Sequence, residues 1–151
     1  MTLTNPNDHV VTWAEVHRDT RALVDRLGPD TRWTGIVAVA RGGLVPAAIV
    51  ARELDIRMIE TLCVASYDDP RTRGAVRILN RPESAAASAG SGWLVVDDMV
   101  DSGATLRAAR VLLPLARFAT VYAKPEGIAS VDVFVHRVAQ ESWITFPWDL
   151  P

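Results

Sequence analysis

The sequence predicts an α/β fold with a central, mainly parallel, twisted sheet flanked by helices. Three observations support this prediction. The apolar run 35–40 is followed by a Gly-containing turn, a helical pattern over 44–54 and a second apolar stretch at 56–67, which is the order of a right-handed βαβ unit. Two further apolar runs, at 93–96 and 118–123, flank another helical pattern. Such alternation is typical of parallel sheets covered by helices on both faces.

The first predicted element is an amphipathic helix near the N-terminus. Thr12 and Glu15 have the spacing of a capping box, in which each side chain satisfies the other residue's backbone N–H group. Gly28 and Pro29 end the helical pattern, because Gly favours the C-terminal cap and Pro cannot continue a helix. Residues 68–74 hold both Pro and Gly among polar residues and therefore predict a flexible loop.

The rest of the chain supplies the remaining elements. Residues 76–79 are expected to return as the second arm of a hairpin, and 82–92, rich in Ser and Ala, to form an irregular connector. A helix is predicted over 106–115 and a final strand over 131–138. Three alternate residues of that strand are expected on the same, inward face: Val131, Val133 and Val135.

Size and composition predict one globular domain over residues 1–151. The net charge of −2 gives no general attraction to nucleic acid, so no nucleic-acid partner is expected. Cys63 is the only cysteine, which excludes an intramolecular disulfide and favours a small buried apolar role. No signal peptide or transmembrane run is apparent, so a cytoplasmic location is expected. A peripheral position at the inner membrane would leave no such trace and stays open.

Residues 93–105 are the most informative segment. Four apolar residues lead into Asp97 and Asp98, a third acid follows at Asp101, and Ser-Gly-Ala-Thr then opens a helix. Ligands of open α/β sheets bind at the carboxyl ends of strands, which is where these acids are expected. Hydroxyls and free N–H groups at a helix N-terminus favour a phosphate. The segment therefore predicts a site for a sugar phosphate.

A purely structural interpretation of this segment explains less. Asp101 or Ser102 could cap the helix, but capping accounts for at most one of the three acids. Adjacent carboxylates repel each other unless a cation or hydroxyl groups lie between them. Asp97 and Asp98 therefore indicate a bound ligand.

Two other positions are expected at the same edge of the sheet. Arg41 and Gly42 follow the first parallel strand; Arg can bind phosphate oxygens, and Gly lets the backbone approach a ligand. Taken alone, they would more simply form a tight turn with an exposed arginine. Lys124, the sole lysine beside fifteen arginines, ends the strand 118–123, and the bias suggests a position that needs a compact ammonium group. An ordinary solvated strand end is the alternative.

The C-terminal segment 143–149 is rich in aromatic residues. It could simply close the hydrophobic core.

The pattern over 95–105 resembles the phosphoribosyl-diphosphate signature of the type I phosphoribosyltransferases, and the resemblance extends to 38–46, 123–125 and 143–149. It implies the fold of that family, with a flexible loop and a small base-binding hood formed by the terminal segments. It also implies purine salvage, in which ribose 5-phosphate passes from phosphoribosyl diphosphate to nitrogen 9 of guanine or xanthine, and less well of hypoxanthine. Mg²⁺ is the implied cofactor, and a homotetramer the implied assembly.

The resemblance also implies a role for each candidate residue. Asp101 is the implied catalytic residue, acting at nitrogen 7 of the purine, and Asp98 the implied metal ligand. Lys124, Trp143 and Ile144 join Asp101 in binding the purine. The residues implied to bind phosphoribosyl diphosphate are Arg41, Gly42, Arg73, Asp97, Asp98, Met99, Val100, Asp101, Ser102, Gly103, Ala104 and Thr105. Arg73 is preferred to Arg71 as the loop arginine that folds over the diphosphate, and a cis peptide bond is expected at Ala40–Arg41.

Other classes of protein fit less well. In a phosphoryl-accepting receiver domain the paired acids follow the first strand and the third acid ends another strand, whereas here all three lie within five residues. A non-catalytic regulator that binds RNA on the same fold fits poorly with the near-neutral charge. Within the enzyme class, a hypoxanthine-preferring transferase is the alternative.

Overall fold

The computed structural model describes residues 8–29, 32–66, 71 and 75–149. The strands of these residues are β1 His9–Val10, β2 Gly35–Ala40, β3 Ile59–Ser66, β4 Val76–Asn80, β5 Trp93–Val100, β6 Arg117–Ala123, β7 Val133–Arg137 and β8 Ile144–Thr145. Their α-helices are α1 Trp13–Leu27, α2 Leu44–Glu53, α3 Glu83–Ala87 and α4 Ala104–Leu112. Short 3-10 turns lie at Ile128–Ser130 and Pro147–Asp149.

Six strands form the central sheet in the order β4–β3–β2–β5–β6–β7. The strands from β3 to β7 pair in parallel, and only the edge strand β4 is antiparallel to its neighbour. The chain therefore leaves β2 in one direction, toward β3, and later returns to place β5 on the other side of β2. This reversal leaves a crevice at the carboxyl ends of β2 and β5, the place where such sheets bind ligands. The predicted mainly parallel sheet is confirmed.

Side chains of the central strands pack alternately on two cores. Ile36 and Ala38 of β2 face the core beneath α1 and α2, while Val37 and Val39 face the core on the other side of the sheet. The sequence of β2 is apolar without a break because both of its faces are buried. These two cores hold the carboxyl ends of β2 and β5 in place.

Helix α1 begins as the capping box predicts. The Glu15 N–H donates to Thr12 Oγ1 at 3.2 Å, and the Thr12 N–H donates to Glu15 Oε2 at 2.8 Å. Gly28, with φ +78°, ends the helix. No helix of the described residues is long and apolar enough to cross a bilayer.

A buried polar contact joins α1 to the sheet. The hydroxyl of Tyr122 donates to Asp19 Oδ2 at 2.6 Å, and Arg18 Nε donates to Asp19 Oδ1 at 2.8 Å. His136 Nε2 lies 3.1 Å from the same Oδ1. Burial acts to raise the pKa of Asp19, but hydrogen bonds from Arg18 and Tyr122 and the nearby His136 ring outweigh it, and the net pKa lies below its ordinary value.

The segment predicted as an irregular connector is partly helical, so that prediction was wrong over 83–87. The Glu60 carboxylate of β3 accepts hydrogen bonds from the N–H groups of Ser84 and Ala85, at 3.0 and 2.9 Å. These are N–H groups of the first turn of α3, which have no partner inside the helix. A residue more than twenty positions away thus stabilises the helix, which local composition does not reveal.

Several predicted boundaries also shift. Strand β3 begins at Ile59, three residues later than predicted, and α4 spans 104–112 rather than 106–115. The last long strand is Val133–Arg137, and Val131 precedes it after a 3-10 turn. Val131 packs on the core opposite to the one that Val133 and Val135 contact. The predicted common face of these three valines was therefore wrong.

The two terminal segments meet in a small second sheet, as the predicted hood requires. Strand β1 pairs with β8 in parallel. The His9 N–H donates to the Trp143 carbonyl and the Val11 N–H to the Thr145 carbonyl, both at 2.9 Å. The backbone of residues 143–145 is thereby fixed by a segment more than 130 positions earlier in the chain.

Replacing Tyr122 by Phe should lower the free energy of unfolding by about 1–3 kcal/mol, because the buried Asp19 carboxylate loses a donor. Urea denaturation at pH 7 measures this loss. The pKa of Asp19 is lower in the folded chain than in the unfolded chain, so the ionised carboxylate stabilises the fold fully above the unfolded pKa near 4. This stabilisation is lost as pH falls through the folded pKa. If Tyr122→Phe loses the same unfolding free energy at about pH 2.5 as at pH 7, the Tyr122 hydroxyl does not stabilise the fold through the Asp19 carboxylate.

Candidate active site

Three strand ends converge on the crevice between β2 and β5. Pairing between β2 and β5 ends at Ala38 and Val96, whereas pairing between β5 and β6 continues to Val100. Asp97 and Asp98 therefore lie within β5, on a stretch that has kept one neighbouring strand and lost the other. The sequence placed these acids at the carboxyl end of the strand, and the pairing with β6 continues past them to Val100.

The turn after β2 packs directly against the acids. Its first peptide bond, Ala40–Arg41, is cis, as predicted. A Cβ atom on Gly42 would overlap the Asp98 carboxylate, so only glycine permits this approach. Arg41 is exposed and lines the same cleft as Asp97 and Asp98. The predicted association of this turn with the acidic segment is confirmed by this geometry.

The two adjacent carboxyls share an unfavourable environment. Burial raises the pKa of Asp97 well above its ordinary range, and the neighbouring charge of Asp98 adds to the effect. Burial also raises the pKa of Asp98, and the charge of Asp149 contributes in the same direction. Each carboxyl accepts a backbone N–H bond, Asp97 Oδ1 from Asp98 at 2.8 Å and Asp98 Oδ1 from Met99 at 2.7 Å. A cation or hydroxyl groups of a ligand would relieve this environment.

Three adjoining cavities surround the acidic segment. The largest, about 570 Å³, is lined by Arg41, Gly42, Asp97, Asp98, Trp148 and Asp149 among others. A second cavity of about 130 Å³ is enclosed by residues 99–106 together with Asp97. A third, of about 200 Å³, is lined by Asp98, Met99, Asp101, Lys124, Trp143, Ile144, Phe146 and Asp149. Because each pair of cavities shares lining residues, one ligand or two ligands in contact could extend through all three.

The second cavity lies at the N-terminus of α4. Gly103 is the residue before the helix, and the Ala104 N–H donates to Ser102 Oγ at 3.3 Å. Arg107 Nη1 donates to the Ser102 carbonyl at 2.9 Å and fixes the turn from outside. The first N–H groups of a helix carry partial positive charge, so this enclosed turn suits a phosphate.

Asp101 and Lys124 are in contact in the lining of the third cavity. Lys124 is buried, and its Nζ donates to Asp101 Oδ2 at 3.2 Å. The Asp101 side chain is 55% exposed, in contrast to the two acids before it. Gln140 Nε2 donates to the other oxygen, Oδ1, at 2.8 Å. The sequence placed Asp101 and Lys124 at the same edge of the sheet, and the structure brings their side chains into contact, whereas Gln140 was missed.

The aromatic C-terminal segment forms the far wall of the site. Trp143 is 70% exposed at the mouth of the third cavity, while Ile144 is buried beneath it. Phe146 and Trp148 stack with ring centroids 4.9 Å apart, and Trp148 meets Trp13 edge to face at 5.9 Å. Aromatic side chains thus connect the N-terminal helix to the site.

Asp149 is a second residue that sequence reasoning missed. It lines both the largest and the third cavity, and its Oδ2 accepts the Phe146 N–H at 3.0 Å. Its only signal in the sequence was its place in the aromatic segment 143–149. Among the predicted site residues, Arg73 lies outside the described residues, and so does the segment 68–74 that was predicted to be a flexible loop, except Arg71.

The fold and the site together have the form of a sugar-phosphate-binding α/β domain: a turn whose N–H groups suit a phosphate and a strand bearing two acids meet at the reversal point of a parallel sheet. The chain belongs to the phosphoribosyl transferase domain family, whose model matches residues 13–151. The family predicted from the sequence is thereby confirmed.

The chain is similar to curated xanthine-guanine phosphoribosyltransferases. It is 50% identical to that of Nitratidesulfovibrio vulgaris (strain DP4) over 139 residues, which cover 92% of this chain and 83% of the relative. It is 49% identical to that of Desulfotalea psychrophila, with 92% and 84% of the two chains covered. The crystal structure of a purine phosphoribosyltransferase from Pyrococcus horikoshii Ot3 matches with a TM-score of 0.77, 29% identity, and coverage of 96% of this chain and 95% of that one.

Replacing Asp97 by Asn should stabilise the ligand-free chain at pH 8 in metal-free buffer, because burial and the neighbouring Asp98 charge raise the pKa of Asp97 and an uncharged amide avoids the cost of ionisation. The pKa of Asp97 is higher in the folded chain than in the unfolded chain, where it is near 4. Ionisation of Asp97 therefore lowers the stability of the wild type as pH rises from the unfolded pKa through the folded pKa. The gain should therefore vanish at pH 4. Urea denaturation at both pH values measures it, with Asp25→Asn on the exposed face of α1 as the control. Equal stability of wild type and variant at pH 8 would contradict the account.

Proposed function

We propose that this chain catalyses transfer of ribose 5-phosphate from phosphoribosyl diphosphate to nitrogen 9 of guanine or xanthine, with release of diphosphate. The observation that carries the proposal is the set of three adjoining cavities around residues 97–105. They match the parts of the two substrates: a terminal phosphate, a ribose with its diphosphate, and a base. The identity to xanthine-guanine phosphoribosyltransferases supports the choice of purine.

The cavity at the start of α4 would bind the 5-phosphate. Its hydroxyls belong to Ser102 and Thr105, and the backbone between them supplies N–H groups. Met99 and Val100 would contribute the wall of this cavity rather than polar contacts. Asp97 and Asp98 would accept hydrogen bonds from the ribose hydroxyls in the adjoining cleft.

The diphosphate would lie in the largest cavity, beside the turn after β2. Arg41 offers a fork of donors for its oxygens, and Gly42 lets the backbone come close. We extend the proposal to Arg73 of the loop over 68–75, which would cover the diphosphate when the loop closes. Closure would exclude water, which otherwise competes for the electrophilic sugar.

The residues of this cleft fit a Mg²⁺ ion. No group of three or more His, Cys, Asp or Glu side chains suited to a metal occurs among the described residues. Mg²⁺ nevertheless needs only one or two carboxylates, because it keeps several waters and binds substrate phosphates. Asp98 would hold the ion, and Asp149 faces the same cleft. When bound, Mg²⁺ neutralises the negative charge that develops on the leaving diphosphate.

Asp101 would act on the purine in the third cavity. As nitrogen 9 becomes the nucleophile, a proton at nitrogen 7 can pass to the Asp101 carboxylate. Lys124 would donate to the exocyclic oxygen at carbon 6, for which its compact ammonium group is suited. Trp143 would stack on the ring, and backbone groups near Ile144 would contact the carbon 2 substituent.

We also propose a cytoplasmic homotetramer, in line with the family resemblance. Leu79, Val111 and Leu115 are large apolar side chains that stay exposed in the single chain, and contacts between subunits would cover such surface. Analytical ultracentrifugation tests the assembly, and fractionation of cells tests both the cytoplasmic location and a peripheral fraction at the inner membrane. A monomer in solution would overturn the proposed assembly.

The decisive experiment is an assay of the purified chain with phosphoribosyl diphosphate, Mg²⁺ and guanine, xanthine or hypoxanthine in turn. We expect diphosphate release with all three bases and a higher kcat/KM for guanine and xanthine. A higher kcat/KM for hypoxanthine would favour the hypoxanthine-preferring alternative. No diphosphate release with any base, together with salt-dependent RNA binding, would favour the non-catalytic regulator.

Replacing Asp101 by Asn should lower kcat by about 100-fold or more, since general-base catalysis typically contributes that much. Binding of phosphoribosyl diphosphate, measured by calorimetry, should change little, because the Asp101 side chain would act on the base and the variant keeps the backbone of residue 101 that lines the phosphate cavity. Asp98→Asn is the contrasting variant and should weaken that binding in the presence of Mg²⁺. Unchanged turnover of Asp101→Asn would remove Asp101 from its proposed role.

A further inference from the structure

We propose that Gln140 is a positioning residue for the transfer reaction: it holds one oxygen of the Asp101 carboxylate so that the other oxygen faces the purine. This inference rests on the proposed function and adds a residue to it. Gln140 lies between β7 and β8, where the sequence offered no motif. The contact that carries the inference is the 2.8 Å hydrogen bond from Gln140 Nε2 to Asp101 Oδ1.

The orientation of the Gln140 amide is fixed by the backbone. The Glu126 N–H donates to Gln140 Oε1 at 3.0 Å. A backbone N–H can only donate, so the amide oxygen must face it, and the amide nitrogen must then face Asp101. Gln140 is therefore an obligatory donor to the carboxylate.

The turn that fixes Gln140 is itself packed on Asp101. The Lys124 N–H donates to the Val100 carbonyl at 2.9 Å, and the Gly127 N–H donates to the Lys124 carbonyl at 3.0 Å. A Cβ atom on Gly127 would lie 2.6 Å from the Asp101 carbonyl oxygen, which only glycine avoids. The backbone of this turn and the backbone of Asp101 thus touch. The distance from the Gln140 amide to Asp101 is accordingly well defined.

The two oxygens of Asp101 have different partners, which gives them different roles. Oδ2 accepts from Lys124 and Oδ1 from Gln140. When Lys124 binds the exocyclic oxygen of the purine, Oδ2 loses that donor and becomes available to nitrogen 7. Oδ1 keeps its bond to Gln140, which prevents the half-exposed carboxylate from rotating away. Gln140 thus maintains the orientation of the proton acceptor at the step where Lys124 leaves it.

Two substitutions test this role. Gln140→Met has a similar length but no donor, and Gln140→Glu has the same shape but places an oxygen against Asp101 Oδ1. We expect both to lower kcat by roughly 10- to 100-fold, because misplacement of a reacting group by about 1 Å has an effect of that order. The KM for phosphoribosyl diphosphate should stay within about twofold, since the phosphate cavity is not altered. Glu141→Gln, at the adjacent exposed residue, is the control and should match the wild type.

A double-mutant cycle separates positioning from a general structural effect. In the Asp101→Asn background no carboxylate remains to be oriented, so Gln140→Met should change the residual turnover less than about twofold. An equal fold-loss in both backgrounds, or normal turnover of Gln140→Met, would overturn the role of Gln140 alone. Absence of diphosphate release by the unmodified chain would instead overturn the proposed function. Urea denaturation confirms that each variant is folded; should Gln140→Met fail to fold, Gln140→Glu carries the same comparison.

Discussion

Two adjacent carboxylates, Asp97 and Asp98, are held at the point where β5 loses its pairing with β2, and the rest of the site is arranged around this costly placement. Burial raises the pKa of both groups, so the ligand-free chain keeps them there at the expense of stability. Apolar burial in the two cores, one on each face of the sheet, offsets the free-energy cost of burying these carboxylates. Unfavourable electrostatics in a free site become favourable once a cation or ribose hydroxyls enter.

The site separates two kinds of acid. Asp97 and Asp98 are enclosed, hydrogen-bonded to the backbone and suited to holding a ligand. Asp101 is half exposed and accepts hydrogen bonds from the side chains of Lys124 and Gln140, which could exchange partners when a ligand binds. The proposed roles, ligand binding for the rigid pair and proton transfer for the adjustable acid, agree with their positions inside the strand and in the turn after it.

The terminal segments complete the site from opposite ends of the chain. Backbone bonds from His9 and Val11 fix the strand that carries Ile144, and the Trp13 and Trp148 rings meet beside it. The wall of the third cavity therefore depends on pairing between segments that are distant in sequence. A capped helix α1 anchors this arrangement, because β1 leads directly into the Thr12 capping box.

Local patterns in the sequence determined the βαβ order, the capping box of α1, and the meeting of Arg41, the acidic segment and Lys124 at one edge of the sheet. Each follows from residues a few positions apart or from the rule that parallel strands end at the same edge. The tertiary structure alone decided how far β5 continues beyond Val96, the helix that Glu60 stabilises at 83–87, and the opposite packing of Val131. It also brought Asp149 and Gln140 to the site. These features depend on partners about twenty to fifty residues away, and a sequence states which groups are present but not which of them become neighbours.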